Sequence, residues 1–431
     1  MNVSSLFLAT ALGFSSTVGA VELSTGGQGQ ALIFPLYSVE AGNDTAIHIT
    51  NSSDSPSIAK VRILEGLTGK VAYSFNLYLD AYDVWTGVLT RQDNGARLVS
   101  GDPTCTLPRL PAEGVVLGMS PGADPVLPTR ARVGVIEVIE MGTPDPHAAE
   151  PMRGTLAQLF GDGCASLQGA FAQGGLWGQD SRAGLLPPRG GLSGSVTLTN
   201  VMNGYQIGLD ATALLDFSTS ARQTRPEDPQ PTLGQSETTY ATLRGTVLPF
   251  RNGVQAVSAL LTHKTAQGEY AYGAGLNAET DWVVTYPTKA YLNALTTPDQ
   301  AGERHSPFVT TPGPNGLTCE PFTTDLCAIT NIIGIGDSNI LGGRHVRTQR
   351  PAPDRDTGWI SLWMGEENGI PEWPQKRIIY PTNAPALFDV EGLPMIGFSI
   401  IRIQNGDVGG LLANYVSVKR LTSIPHELFI Q

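Results

Sequence analysis

Between Gln30 and Leu89, apolar and polar residues alternate in short runs separated by polar or glycine-containing turns. Ala46-Ile47-His48-Ile49-Thr50 is one run, and Ala59-Lys60-Val61-Arg62-Ile63-Leu64 is a second, in which Lys60 and Arg62 face away from Val61 and Ile63. Tyr73 to Leu79 is a third, with Tyr73, Phe75, Leu77 and Leu79 on one side. A period of two sends successive side chains to opposite faces of a sheet, so each run predicts a strand with one buried and one wetted face. Asn51-Ser52-Ser53-Asp54-Ser55-Pro56 and Glu65-Gly66-Leu67-Thr68-Gly69 suit antiparallel turns between them. The stretch reads as half of an immunoglobulin-like β-sandwich.

The pattern recurs further along. Asp93 to Thr129 is rich in glycine and proline, and Ala131 to Met141 then predicts a strand buried over most of its length. Gly154 to Gln173 carries Leu156, Leu159, Phe160, Leu167 and Phe171 at helical spacing, with Gly161 and Gly163 placed to split it into two short helices. Leu192–Val201 and the run from Tyr205 predict a hairpin around Met202-Asn203-Gly204, since Asn and Gly both tolerate positive φ. Arg222 to Gly234, polar and with three prolines, reads as an exposed loop or inter-domain connection. Val254 to Leu261 suggests an amphipathic helix starting near Asn252, and Glu269–Leu276 and Thr280–Pro287 read as strands. After a loop-rich passage from Thr288 to Asp356, strands return at Gly358–Met364, Lys376–Pro381, Met395–Ile403 and Leu411–Arg420, the last two joined by an Asn405-Gly406 turn. The expected class is mainly β: immunoglobulin-like sandwich domains with short helical insertions.

Residues 1–20 read as a secretory signal, with an apolar stretch Leu6–Phe14 and small residues Val18-Gly19-Ala20 at the cleavage position, although no Lys or Arg precedes them. Residues 21–221 are expected to form an Ig-like sandwich with a helical insertion near 154–173. Residues 222–431 form a second β-rich domain or the completing half of the same sandwich. No later run reaches the length of a spanning helix. The net charge of -12, with 27 basic against 39 acidic residues, argues against nucleic acid, which needs clustered Lys and Arg. The four cysteines favour disulfides: Cys319 with Cys327 across a short loop, and Cys105 with Cys164 across a longer insertion, out of three possible connectivities. Zinc is disfavoured, since no C-x-x-C pair occurs.

Candidate chemistry is sparse. Gly118-Met119-Ser120-Pro121-Gly122 matches G-x-S-x-G, but Pro121 lacks the N–H that an oxyanion hole needs after the nucleophile. Gly336-Asp337-Ser338-Asn339 resembles the first block of GDSL-type hydrolases, yet neither His345 nor His426 has an Asp three residues before it. Glu366-Glu367, Asp354/Asp356 and Glu137/Glu140 are carboxylate pairs of the kind glycosidases use, most simply read as solvated charges. Asn43-Asp44-Thr45 and Asn51-Ser52-Ser53 match glycosylation sequons but read as turn residues. RHVRTQR (Arg344 to Arg350) reads as a solvated loop, with an anionic glycan as its alternative contact. Among Trp85, Trp282, Trp359, Trp363 and Trp373, core packing is expected of Trp85 and Trp282 rather than a sugar-stacking platform. No metal, cofactor or catalytic residue is expected.

The segments GNDTAIHITN, VRILEG, FNLYLDAYDVWTGVL, IEVIEM, TDWVVTYPTK and GLPMIGFSIIRIQNG, scattered from Gly42 to Gly406, resemble a group of uncharacterised exported proteins of Gram-negative bacteria. The resemblance implies an exported, Ig-like, surface-associated protein and supplies no catalytic residues. The expected function is a non-enzymatic structural or adhesive protein of the cell surface, self-assembling into a filament or layer. Strand addition by Val21–Tyr37 is one expected means, and a surface glycan a further partner. The expected location is extracellular or on the cell surface, with the periplasm second. A secreted hydrolase, a carbohydrate-binding protein and a periplasmic binding module are the alternatives.

Overall fold

The computed structural model describes residues 19–119, 122–263, 265–293, 328–342, 346–349, 356–363, 388–389, 393–422 and 429–430. Strand makes up 47% and helix 11% of the described residues, so the protein is mainly β, with several antiparallel sheets. The first strands are β1 (Glu22–Leu23), β2 (Ala31–Ser38), β3 (Asp44–Asn51), β4 (Ser57–Glu65), β5 (Val71–Leu79), β6 (Val84–Gln92) and β7 (Gly95–Val99). They are followed by β8 (Cys105–Leu107), β9 (Val115–Val116), β10 (Val133–Pro144), β11 (Leu185–Leu186), β12 (Leu192–Asn200), β13 (Tyr205–Asp210) and β14 (Thr212–Leu215). The remainder adds β15 (Tyr240–Leu243), β16 (Thr246–Pro249), β17 (Thr262–His263), β18 (Thr265–Ala271), β19 (Ala278–Thr285) and β20 (Thr330–Ile335). Last come β21 (Val346–Gln349), β22 (Thr357–Trp363), β23 (Phe388–Asp389), β24 (Leu393–Pro394), β25 (Ile396–Val408) and β26 (Leu411–Arg420). The helices are α1 (Leu127–Arg130), α2 (Met152–Gly161), α3 (Cys164–Gly169), α4 (Gly253–Leu260) and α5 (Lys289–Asn293).

Two antiparallel sheets pack on each other, one ordered β1-β14-β2-β10-β4-β5-β8 and the other β13-β12-β3-β6-β7-β9. The core between them joins Phe34, Val61, Ile63, Phe75, Ile136 and Val138 of the first sheet to Ile47, Ile49, Trp85, Leu89, Val196 and Ile207 of the second. In the second sheet the predicted alternation holds, with β3 buried at every other residue. In the first sheet it holds only as direction. All nine residues of β4 are buried, and the expected wet side of Lys60 and Arg62 is closed off from water. The sheet is covered on both faces, and that is why its central strands carry near-continuous buried runs.

The covering comes from three sources. Residues 217–261, α4 among them, lie over the outer face around Ala31, Ile33 and Ile139, in one buried cluster with Phe217, Leu233 and Val257. The α2–α3 insertion covers Ile58, Tyr78 and Met141 with Leu156, Leu167, Phe171 and Trp177. The third source is a five-stranded sheet ordered β21-β20-β19-β25-β26. It sends Val283, Ile332, Phe398 and Ile400 into the first core, while Trp282, Val284, Ile333 and Ile335 join the α4 cluster. Both clusters therefore contain residues from either side of position 221. Backbone bonds run across as well: Thr330 N–H donates to Gly66 O at 2.8 Å, and Val21 N–H to Tyr240 O at 2.8 Å.

Val21–Tyr37 is paired inside its own chain. β1 pairs with β14, and β2 lies between β14 and β10 with all eight residues buried. Pro35 is tolerated there because the register with β10 shifts between Gly134 and Ile136, so no ladder N–H is required of it. Its carbonyl accepts from Thr285 Oγ1 at 2.7 Å.

Local signals placed several other elements correctly. Gly161 and Gly163 separate α2 from α3, and the β12–β13 hairpin turns at Val201–Gly204. α4 starts at Asn252, whose side chain accepts from Gln255 N–H at 3.0 Å. The Asn405-Gly406 turn is an exception. β25 continues to Val408 through a register shift between Gln404 and Asp407, and the chain reverses at Gly409-Gly410, both at positive φ. A left-handed glycine marks a bulge as readily as a hairpin turn.

Cys105 and Cys164 form a disulfide that ties the first residue of α3 to the first residue of β8 across 59 positions. Cys319 and Cys327 lie outside the described residues. Replacing Cys105 and Cys164 together by serine is expected to lower unfolding free energy by about 4 kcal/mol, from the loop-closure entropy restored to the unfolded chain. Urea denaturation would check this, and a loss under about 1 kcal/mol would mean that the insertion's own core holds it in place.

Candidate functional site

The outer face of the first sheet carries an island of charge. β4 presents Lys60 and Arg62 to this side, β10 presents Glu137, and β5 presents Asn76; the ladder sets Arg62 opposite Glu137 and Lys60 opposite Asn76. Arg62 Nη1 bonds Glu137 Oε2 directly and donates to Tyr291 OH of α5 at 2.7 Å. The tyrosine hydroxyl is 2.7 Å from Glu137 Oε1, closing a three-member network. Lys60 has no carboxylate partner among the described residues. Its ammonium donates to Asp228 O at 2.7 Å and Arg225 O at 3.3 Å, and Asn76 Nδ2 donates to Thr224 O at 3.0 Å.

The stretch Arg222 to Gly234 is thus a roof over the island, not a free connection. Its backbone carbonyls take the donors of the sheet beneath, and Leu233 packs into the α4 cluster. Burial lowers the Lys60 pKa to about 7, with Asp228 pulling the other way. Burial also pushes the Tyr291 hydroxyl well up, with Glu137 adding to the shift. Lys60 is fully buried and Arg62 and Glu137 almost so, which makes the island a latch between sheet and roof.

The open site is a cleft of about 510 Å³ beside the disulfide, lined by the segment from Ser100 to Ala112 together with Trp85 and Cys164. Its floor is self-contained. Asp102 accepts from Thr86 N–H at 3.0 Å and Thr104 N–H at 3.0 Å, and from both threonine hydroxyls. Ser100 Oγ donates to Thr86 O at 2.6 Å, and Thr106 Oγ1 accepts from Leu110 N–H at 3.1 Å. Trp85 is 1% exposed and packs against Phe75 with the rings tilted and their centroids 5.4 Å apart, as a core residue should. Its indole N–H has no acceptor.

Among the described residues, those singled out by motif lie away from the cleft. Ser338 is 4% exposed; it sits beside buried Asp281 but not in a well-formed hydrogen bond with it. Its loop docks onto the first half: Ile340 O accepts from Asn43 Nδ2 at 3.0 Å and Tyr205 OH at 3.1 Å, and Leu341 O from Ser38 Oγ at 2.9 Å. Leu341 N–H donates to Asp281 Oδ2 at 2.9 Å, so the carboxylate anchors the loop. Burial raises the Asp281 pKa, against the lowering effect of Ser338 and the loop N–H groups.

Gly118, at positive φ, bonds Ala72 O and packs on α1, while Ser120 and Pro121 lie outside the described residues. Glu137 and Glu140 are both buried but not a pair, because three positions on a strand put them on opposite faces. Glu140 instead accepts from Gly190 N–H at 2.7 Å, Arg189 N–H at 3.2 Å and Ser57 Oγ at 3.1 Å. Asn43 and Asn51 are buried with their amides engaged. Trp282 is a core residue and Trp359 is exposed. Glu366, Glu367, Asp354 and Trp373 lie outside the described residues, as do Arg344, His345, Arg350 and His426.

Two outcomes are expected of the island. Lys60 binds its proton less readily folded, at about 7, than unfolded, at 10.5. The unfolded chain therefore carries the extra proton between these values, and stability should rise with pH across the window, by at most about 1.4 kcal/mol per pH unit. Lys60→Met should remove that rise in urea melts taken from neutral to alkaline pH; parallel curves for the two proteins would refute the assignment. Glu137→Gln should cost about 3–5 kcal/mol by leaving Arg62 buried without its counter-charge, whereas Arg62→Met with Glu137→Leu should cost much less. Compared with known proteins, the chain matches no family model, no curated protein and no solved structure.

Proposed function

We propose that this chain is an exported, non-enzymatic structural protein of the cell surface, built on Ig-like paired sheets, which self-associates by strand addition at β26. The observation that carries the reading is the edge itself. β26 is the terminal strand of its sheet among the described residues, ten residues long, with no proline and no charge from Leu411 to Val418. Lys419 and Arg420 stand only at its last two positions. Edges of that length are ordinarily blunted by lysine, proline or a bulge, since their unpaired N–H and C=O groups template pairing with another chain.

The apolar residues at the edge add to the argument. Val408, Leu411 and Tyr415 are each more than half exposed. The neighbouring hairpin tip presents Val201 and Met202, the latter 91% exposed, and Asn414 Nδ2 joins the two tips through Asn203 O at 2.8 Å. In an antiparallel pair of β26 strands, the basic end of one copy meets the Asp407 end of the other, and the apolar tips are covered. Main-chain bonds would supply affinity and the alternating side chains specificity. Ser338, the residue on which the hydrolase alternative leans, has no hydrogen-bonding base among the described residues.

The expected outcome is concentration-dependent assembly of the full chain in sedimentation velocity and electron microscopy, lost in Leu411→Lys with Tyr415→Lys. Both side chains are exposed, so the variant should keep its melting temperature. A wild type that stays monomeric at every concentration, or a variant that assembles equally, refutes the edge.

A further inference from the structure

We infer that the cleft beside the Cys105–Cys164 disulfide is a binding site for a carboxylate-bearing sugar, a uronic acid unit, with Arg109 as its anion-recognising residue. The argument starts from what the wall has left over. Among the described residues, Asp102 and Arg109 are the only charged ones lining the cleft. Asp102 is saturated by two backbone N–H groups and two hydroxyls. Ser100 and Thr104 spend their hydroxyls on Thr86, Asp83 and Asp102. What remains open on the wall, among the described residues, is a donor: the exposed Arg109 guanidinium.

A guanidinium presents a rigid fork that matches the two oxygens of a carboxylate. Leu110, Pro111 and the disulfide supply an apolar stretch of the same wall, against which the C–H face of a sugar ring can lie. The volume of about 510 Å³ lies within the range of small-molecule sites and suits one or two sugar rings. The chain as a whole is acidic, so anion binding depends on this local cation and should weaken with salt. The site shares no residue with β26, and either proposal stands if the other fails.

Isothermal titration calorimetry of the full chain with digalacturonate tests the assignment, with lactose and acetate as the neutral-sugar and bare-carboxylate arms. The expected result is saturable one-to-one binding of digalacturonate, weakened about tenfold or more in Arg109→Gln, with lactose and acetate both weaker. Arg109 is exposed, so unchanged thermal unfolding of the variant is the folding control. No saturation by about 10 mM digalacturonate overturns the proposal. So do equal affinity in Arg109→Gln, lactose binding as tight as digalacturonate, and acetate binding as tight, which would mark a simple anion contact.

Discussion

The buried pairing of Arg62 with Glu137 is the constraint on which the architecture turns. A sheet covered on both faces must either be apolar throughout or satisfy every charge it encloses, because an unpaired ion in the interior costs several kcal/mol. Here the ladder itself brings the pair together, placing Arg62 on β4 opposite Glu137 on β10, and Tyr291 completes it from α5. The covering chain is thereby told where to sit. Tyr291 and the carbonyls of Thr224, Arg225 and Asp228 receive hydrogen bonds from Arg62 Nη1, Asn76 Nδ2 and Lys60 Nζ of the island. Around the island the contacts are apolar and less selective, so the polar centre sets position while its surroundings contribute most of the burial.

This arrangement also explains why the two portions of the chain do not pack apart. The third sheet has apolar residues on both faces, one serving the first core and the other the α4 cluster. Its loop from Gly336 to Gly342 docks on Asn43, Tyr205 and Ser38 through carbonyls rather than through the serine that first draws the eye. Inside, Lys60, Glu137, Glu140 and Asp281 are engaged by the chain's own bonds. At the periphery stand the β26 edge, the two hairpin tips and Arg109 of the cleft.

The difference between interior and periphery bears on how such a protein works. Rigid, doubly covered sheets are well suited to hold an edge strand straight and a cleft open, and poorly suited to move. A disulfide at the base of the cleft adds to that stiffness by fixing the helical insertion to β8. Recognition on such a frame depends on groups already in place, which lowers the entropy lost on binding.

Strands, hairpin and helices were largely legible in the sequence because their signals are local. A period of two over Ala59–Leu64 sends Lys60 and Arg62 to one side whatever lies there, and Asn252 or Gly161 marks a helix boundary through its immediate neighbours. The same local reading mistook the left-handed Gly406 for a turn, since a bulge and a hairpin ask the same of a glycine. It could not tell that the side occupied by Lys60 is dry, because the carbonyls that accept its hydrogen bonds are 165 and 168 residues away. Nor could it see the cleft, whose wall joins Trp85 and Cys164 to the segment between them only once the sheets have formed. What the sequence by itself determined is which way each side chain points; what only the tertiary structure decided is whether water, a counter-charge or another strand waits there, since that depends on surfaces brought in from far along the chain.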